Sequence, residues 1–235
     1  MKKGKKRILN IETSTTVCSV SISEGKKVIA ARESRVDKSH ASLLTVFIDE
    51  VMKETDTGYN HLAAVAVSRG PGSYTGLRIG VSAAKGICYG AEVPLLAVDT
   101  LWLMALMAID KAGKVDGRSI LCPMIDARRM EVYTALYDAG GGRISETGAH
   151  IIDNGWFEKL PEGKKVLFFG NGAEKCRDAA KGKNVFFLED IYPSAGYMAA
   201  LSDEALRAGR IEDTAYFEPF YLKDFLATTP RNRLL

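Results

Sequence analysis

Near the start of the chain stands the run Ile8-Leu9-Asn10-Ile11-Glu12-Thr13-Ser14-Thr15-Thr16, a short hydrophobic strand that ends in a carboxylate and passes into a polar turn. The same pattern returns later as Ile120-Leu121-Cys122-Pro123-Met124-Ile125-Asp126-Ala127-Arg128. Aligning Ile11-Glu12 with Ile125-Asp126 gives an offset of 114 residues, close to half of the 235-residue chain. A second alternating strand follows each copy. We therefore predict two tandem halves of similar architecture.

Helical segments alternate with these strands. The pattern predicts helices over 40–53, 74–89 and 173–181, and strands over 63–67, 94–98, 166–169 and 185–188. Alternating strands and helices indicate an α/β protein. The polar, Gly-containing stretch 111–119 is the best candidate boundary, which predicts an N-terminal domain over 1–112 and a C-terminal domain over 113–235.

Composition is that of a globular protein, with 46% hydrophobic and 26% charged residues. The net charge of +3 comes from the basic start Lys2, Lys3, Lys5, Lys6 and Arg7, because removing these five charges leaves −2 for residues 8–235. The charge therefore does not indicate a body that binds nucleic acid directly. The longest apolar run, 101–109, is far shorter than the roughly 20 residues that span a bilayer. We expect no membrane segment and a cytoplasmic location.

Cysteine and histidine usage argues against metal and disulfide sites. Cys18, Cys88, Cys122 and Cys176 are widely spaced and form no C-x-x-C pair. The three histidines are His40, His61 and His150, and no two of them share a helix at metal-binding spacing. We predict no metal ligands and no catalytic residues, and we expect Cys88 to serve packing rather than nucleophilic attack.

A glycine-rich loop, Gly70-Pro71-Gly72-Ser73, leads from a buried strand into the second helix. A helix start with glycines suits an anion, but no G-K-[ST] follows, so the loop is not a Walker A motif. From its spacing alone, a tight strand-to-helix turn is the favoured interpretation. In the helix that follows, Gly76, Gly80 and Ala84 recur every four residues, and either internal packing or a partner helix would explain such small residues.

Helix 40–53 poses a similar choice. Its apolar side chains spread over roughly half of its circumference, more than the stripe of a one-sided surface helix. A deeply covered core helix and a helix with a second face for another protein both fit this pattern.

A family signature runs through the chain, carried by Ile8–Ser14, His40, Ser68–Gly80, Ile125–Tyr133 and Pro219–Lys223. Together these segments closely resemble the bacterial TsaB family, also called YeaZ, over nearly the whole chain. The run from Gly70 to Gly80 is highly specific to that family, and the other segments support it.

The resemblance implies an actin/sugar-kinase/Hsp70-like fold, in which two similar domains, each with a mixed five-stranded sheet flanked by helices, face a cleft. It also implies a role in making threonylcarbamoyladenosine in tRNA. In that pathway the larger paralogue TsaD transfers the threonylcarbamoyl group and the ATPase TsaE resets the complex. We therefore expect a non-catalytic subunit that binds TsaD, works together with TsaE, forms a homodimer when alone and meets tRNA only through the complex. The sequence leaves open whether the chain has an independent activity.

The resemblance further assigns residues to two sites. The partner-binding surface implied on the first two helices consists of Leu44, Phe47, Ile48, Val51, Gly76, Ile79, Gly80, Ala83 and Ala84. The residues implied for binding ATP or ADP are Glu12, Thr13, Ser14, Asp126, Gly170 and Gly172, although no cofactor is expected to be required. The family usually has Asp-Thr-Ser at the first turn, where this chain has Glu12. The alternative function is an ATPase or small-molecule kinase of the same fold, acting through Glu12 and Asp126.

Overall fold

The computed structural model describes residues 6–36, 39–111 and 115–223. Within these ranges the strands are β1 Arg7–Glu12, β2 Cys18–Glu24, β3 Lys27–Ser34, β4 Leu62–Gly70, β5 Leu95–Asp99, β6 Ile120–Asp126, β7 Glu131–Thr134, β8 Gly148–Ile151, β9 Val166–Phe169 and β10 Val185–Leu188. The α-helices are α1 His40–Glu54, α2 Tyr74–Ala91, α3 Thr100–Lys111, α4 Asn154–Phe157 and α5 Ala199–Arg207.

The strands form two five-stranded sheets with the same connectivity. The first sheet has the order β3-β2-β1-β4-β5 and the second has the order β10-β9-β6-β7-β8. In each sheet the first strand in the chain is central, pairs antiparallel with the next strand and pairs parallel with the strand that follows a crossover. Glu12 and Asp126 are the last residues of β1 and β6. The predicted repeat and its alignment are therefore confirmed.

Alternating side chains divide the first sheet between two hydrophobic layers. Ile8 and Ala64 face one cluster, whereas their neighbours Leu9 and Val65 face another, because successive strand residues point to opposite faces. The cluster around Leu9 packs under α1 and α2. The cluster around Ile8 packs against α3 and α5 and also contains residues of the second sheet. A third cluster, on the far face of the second sheet, contains Trp156 and Phe168.

The C-terminal part of the chain returns to the first sheet. The main-chain N–H of Ala195 donates to Ser19 Oγ at 2.9 Å, and Ser21 Oγ donates to the Ala195 carbonyl at 2.8 Å. Further on, Glu212 forms an isolated bridge with Leu95. Contacts therefore cross the predicted boundary between residues 112 and 113, and that division stays a prediction.

Most predicted elements are confirmed within one to three residues, but one predicted helix is wrong and two observed elements were not predicted. The predicted helix over 173–181 is wrong, because only a 3₁₀ turn at Glu174–Cys176 forms there. Consecutive turns bring Ala173, Cys176 and Ala180 into the third cluster without a helix. The strand β8 and the short helix α4 were not predicted. All four cysteines are buried and free. Among the described residues, no helix is both long and apolar enough to cross a bilayer.

Candidate functional site

The turn after β1 is enclosed within the first domain. The side chains of Glu12, Thr13 and Ser14 have no exposed surface. Glu12 Oε1 accepts a hydrogen bond from the main-chain N–H of Ser14 at 2.6 Å, so the carboxylate folds back onto its own turn. Its other oxygen, Thr13 Oγ1 and Ser14 Oγ have no hydrogen-bond partner among the described residues. Burial raises the pKa of Glu12 to about 6, since removal from water disfavours the charged form.

The glycine-rich loop and the start of α2 cover the turn after β1 and shield it from solvent. The main-chain N–H of Ser73 donates to the Ser14 carbonyl at 2.7 Å. A Cβ on Gly72 would collide with the Ser14 carbonyl, and a Cβ on Gly76 would collide with the Thr13 carbonyl. Ser73 caps the helix, its Oγ accepting from the Gly76 N–H at 3.2 Å. The loop is therefore a tight strand-to-helix turn, and its glycines allow the backbone of the β1 turn to approach closely.

This arrangement does not fit a nucleotide at the first turn. Glu12, Thr13 and Ser14 were predicted to bind ATP or ADP, but the loop and α2 leave them no surface to present to a ligand. A side chain with no accessible surface cannot contact a phosphate or its metal. We therefore derive no step through nucleotide at this turn, and the predicted role of these three residues is corrected to an internal one.

The equivalent turn after β6 is open and strongly charged. Asp126 is about half exposed, pairs with Lys175 and accepts from the Arg128 N–H at 3.0 Å. Lys175 also donates to the Glu131 carbonyl at 2.6 Å, and Lys223 pairs with the Glu131 carboxylate. The structure thus joins two lysines from distant parts of the chain to one turn. Sequence analysis missed both, because separations of 49 and 92 residues leave no local pattern.

Gly170 and Gly172 serve the packing of the second sheet. Gly170 has φ 97°, a left-handed conformation that favours glycine, and a Cβ on it would collide with the Met124 carbonyl. A Cβ on Gly172 would lie 2.8 Å from the Ile125 carbonyl carbon. The space beside both glycines is filled by the end of β6. Both positions therefore need glycine for the packing of the second sheet, and their predicted contact with an adenosine stays a prediction.

The predicted partner surface on α1 and α2 divides into buried and exposed residues. Six of the nine predicted residues are buried inside the first domain, which contradicts a direct contact with a partner: Leu44, Ile48, Val51, Gly76, Gly80 and Ala84. Only Phe47, Ile79 and Ala83 are half-exposed. Gly80 faces Thr13 rather than solvent. Internal packing, rather than a partner helix, therefore explains the small residues at the start of α2.

The outward face of the two helices has a different composition. We call it the helix surface, and it consists of Leu43, Val46, Phe47, Ile79, Ala83, Gly86, Ile87 and Gly90. Val46 is 46% exposed, and no atom lies within 4 Å of a Cβ built on Gly86 or Gly90. The helix surface is thus apolar, and it exposes the backbone of α2 at two glycines. Spacing of three and four residues places these positions on one side of each helix.

The four cysteines and His40 are buried in the interior of the protein. His40 is buried at the start of α1, and its Nε2 lies 3.1 Å from the Val17 carbonyl. Cys88 lies in the buried cluster of the first domain, and burial raises the pKa of its thiol to about 11. In the described ranges no group of three or more His, Cys, Asp or Glu side chains could hold a metal ion.

Comparisons with known proteins agree with this architecture. The family model described as TsaD, tRNA N6-adenosine threonylcarbamoyltransferase, matches residues 33–230. The chain is 30% identical to the tRNA threonylcarbamoyladenosine biosynthesis protein TsaB of Escherichia coli, over 94% of this chain and 96% of that one. It is 28% identical to the protein of the same name from Bacillus subtilis, over 87% and 84% of the two chains. The solved structure of YeaZ from Pseudomonas aeruginosa, 22% identical, covers 92% of this chain and 100% of its own with a TM-score of 0.77, which shows a common fold.

Proposed function

Since the chain belongs to the TsaB (YeaZ) family, we propose that it is a partner subunit of the machinery that makes threonylcarbamoyladenosine in tRNA. Its fold is the actin/sugar-kinase/Hsp70-like one, with two mixed sheets of identical connectivity. Its role is to bind and support the TsaD transferase, together with the ATPase TsaE, without catalysing the transfer. It works in the cytoplasm and meets tRNA through the complex.

The observation that carries the proposal is the helix surface. Its half-exposed Leu43, Phe47, Ile79 and Ile87 lie over the buried cluster of the first domain, so the domain fixes their positions. Gly86 and Gly90 allow a partner helix to approach the backbone of α2 closely, as small residues do wherever helices pack tightly. A rigid apolar patch with an open backbone is suited to a stable helical interface. The same patch would hold two copies of the chain together when TsaD is absent.

Support for a non-catalytic role comes from the first turn. Glu12 is the counterpart of Asp126 in the repeat, yet it is buried and bonded to its own backbone. The alternative, an ATPase or kinase acting through Glu12 and Asp126, would need both carboxylates at the reacting centre. Only Asp126 is accessible, and it is paired with Lys175. A partner subunit needs neither carboxylate for chemistry.

The test compares substitutions at glycines that face open space on the helix surface and outside it. The variant Gly86→Leu/Gly90→Leu fills the helix surface, and the control Gly117→Leu makes the same change at an open position in a loop of the other domain. Size-exclusion chromatography with light scattering measures the mass of each protein, alone and mixed with TsaD from the same organism. We expect the unchanged protein and the control to pass from homodimer to heterodimer, and the double variant to stay monomeric in both samples.

Circular dichroism melting of all three proteins accompanies the mass measurement, to show that the double variant is folded. A folded double variant that binds TsaD as the unchanged protein does would reject the helix surface as the interface. An unchanged protein that ignores TsaD would reject the proposed function itself.

A further inference from the structure

The hairpin between β6 and β7 has two arginines at its tip. Arg128 and Arg129 are both exposed, and Met130 beside them is 41% exposed. Within the described part of the chain, neither guanidinium group forms an ion pair or a side-chain hydrogen bond. The tip therefore presents two adjacent positive charges to solvent, and no described carboxylate neutralises either of them.

The backbone of the hairpin is fixed, and its conformation is unusual for arginine. The Ala127 N–H donates to the Glu131 carbonyl at 3.0 Å, and the Glu131 N–H donates to the Arg128 carbonyl at 3.1 Å. Arg128 has φ 70° and Arg129 has φ 49°, in the left-handed region that favours glycine. Backbone preference therefore does not explain arginine at either position. A conformation that costs energy at two consecutive residues points to a function for their side chains.

The two carboxylates at the base of this hairpin already have partners. Asp126 pairs with Lys175, and the Glu131 carboxylate pairs with Lys223. Lys175 also donates to the Glu131 carbonyl at 2.6 Å, which joins both pairs into one network. The four charges of this network cancel. The base of the hairpin is thus neutral, while its tip carries two charges of the same sign.

The excess positive charge is confined to the tip. Farther along the chain, Arg177 pairs with both Glu174 and Glu189, so this neighbouring group carries no excess of positive charge. Residues 8–235 together sum to −2. The protein therefore offers a small cationic contact on a body that is otherwise not basic, which suits one or two phosphate groups rather than a broad polyanion-binding face.

The equivalent turn of the first domain has neither the exposure nor the charge. Between β1 and β2 the chain reads Thr13-Ser14-Thr15-Thr16, without a charged side chain, and α2 packs over it. In the second domain the loop after β9 leads into the 3₁₀ turn Glu174–Cys176, so among the described residues no long helix follows that loop to cover the hairpin. The repeat therefore contains one closed turn and one exposed, cationic turn.

The shape of the tip favours a large ligand over a small one. Small-molecule sites are concave and surround most of their ligand. Arg128, Arg129 and Met130 are instead exposed at the end of a hairpin. A row of phosphates that passes over this hairpin can contact both guanidinium groups at once, and arginine binds phosphate oxygens in a bidentate manner.

We propose that the tip of the β6–β7 hairpin contacts the phosphate backbone of tRNA. Arg128 and Arg129 each bind one backbone phosphate, so the chain adds a direct contact of its own within the complex. Such contacts position a nucleic acid without reading its bases. The inference rests on the proposed function, which supplies the RNA.

The test removes the two charges and keeps the hairpin. Arg128→Gln/Arg129→Gln replaces both guanidinium groups with neutral side chains, and Arg128→Lys/Arg129→Lys keeps the charges. The control Lys26→Gln/Lys27→Gln removes two adjacent exposed cations at the β2–β3 turn of the first domain. Each protein is assembled with TsaD from the same organism, and fluorescence anisotropy measures the Kd for a labelled tRNA transcript at several KCl concentrations.

Loss of two phosphate contacts should change both the affinity and its dependence on salt. We expect the glutamine variant to raise Kd about tenfold at physiological salt, and to do so uniformly among tRNAs of different sequence. The slope of log Kd against log[KCl] should fall by about 1.5, since each phosphate contact contributes about 0.7–0.9 to it. The lysine variant and the control should keep the slope of the unchanged protein.

Size-exclusion chromatography with light scattering, run first, separates a failure of this inference from a failure of the proposed function. If the unchanged chain does not assemble with TsaD, the proposed function is rejected. The same titration of the isolated chain then decides whether the hairpin contacts RNA.

Three results would overturn the inference. The first is a glutamine variant that is folded by circular dichroism and has the Kd and the slope of the unchanged protein. The second is a raised Kd with an unchanged slope, which would show a positioning role without a phosphate contact. The third is displacement of the tRNA by inorganic pyrophosphate at concentrations close to that of the protein, which would assign the tip to a small anion.

Discussion

The sequence and the structure lead to different interpretations of the buried Glu12. As a carboxylate at the end of a central strand, it suggests contact with a nucleotide or its metal. In the structure it is fully buried and bonded to Ser14, and its pKa is raised to about 6 by burial. When the pKa of a group is higher in the folded protein than in the unfolded chain, the fold is more stable with that group protonated. Glu12 therefore stabilises the fold when neutral, not when charged.

Stability should consequently depend on pH through this residue. The contribution of Glu12 is fully present below its ordinary pKa of 4.5 and is lost as pH rises through about 6. The difference corresponds to about 2 kcal/mol. Glu12→Gln keeps a neutral side chain at all pH values, so we expect the variant to gain about 2 kcal/mol relative to the unchanged protein between pH about 4.5 and about 7.5. Urea denaturation of both proteins at the two pH values measures their free energies of unfolding. A difference between the two proteins that does not change with pH would contradict the prediction.

At the scale of the element, α2 uses its glycines in two different ways. Gly76 at its start accommodates the Thr13 carbonyl, while Gly86 further along has no neighbour within 4 Å of a Cβ. The N-terminal end of α2 thus packs on the β1 turn, while its C-terminal half forms part of the helix surface. Periodicity alone treats these glycines as equivalent, since both lie in the same helical run.

The same substitution should therefore have opposite effects at the two ends of α2. Gly76→Ala forces a methyl group against a backbone oxygen that cannot rotate away, and should lower the free energy of unfolding by about 1–3 kcal/mol. In Gly86→Ala the new methyl group contacts no other atom and the helix propensity improves, so the free energy of unfolding should rise by about 0.5–1 kcal/mol. Chemical denaturation of both variants measures the two changes. A loss of stability in Gly86→Ala would show that its environment is not open.

The whole molecule is organised around a layer that both sheets share. Helices α3 and α5 lie in one hydrophobic cluster with Ile8 of the first sheet and Leu121 of the second. Lys223 pairs with Glu131, and the Phe220 N–H donates to the Arg69 carbonyl, so the segment 220–223 contacts both domains as well. Such shared packing predicts that the two domains unfold together.

Met104 tests this coupling, because it is fully buried in α3 within the shared cluster. Met104→Ala should lower the free energy of unfolding by about 2–5 kcal/mol. In a Trp102→Phe background, Trp156 fluorescence reports on the second domain while far-UV circular dichroism reports on the whole chain. Coincident transitions by the two probes are expected before and after the substitution. Separate transitions would contradict a shared core.

Local patterns in the sequence determined the repeat, the α/β class, most element bounds and the family. Ile8 to Glu12 and Ile120 to Asp126 are short, nearly continuous apolar runs, which are typical of buried central strands, and that pattern depends only on neighbouring residues. The glycine-rich run from Gly70 to Gly80 identifies the family because its order is specific. The same reasoning failed over 173–181, where apolar spacing fits a helix but tertiary contacts are met by turns.

Only the tertiary structure decided which of the named residues face solvent. Leu44 and Gly80 share helices with Phe47 and Ala83, and a sequence cannot say which side of a wide apolar arc the sheet will cover. Likewise, the pairings of Lys175 with Asp126 and of Lys223 with Glu131 bring together residues separated by 49 and 92 positions in the chain. Burial and long-range contact depend on the packing of both domains at once, and no local pattern records them.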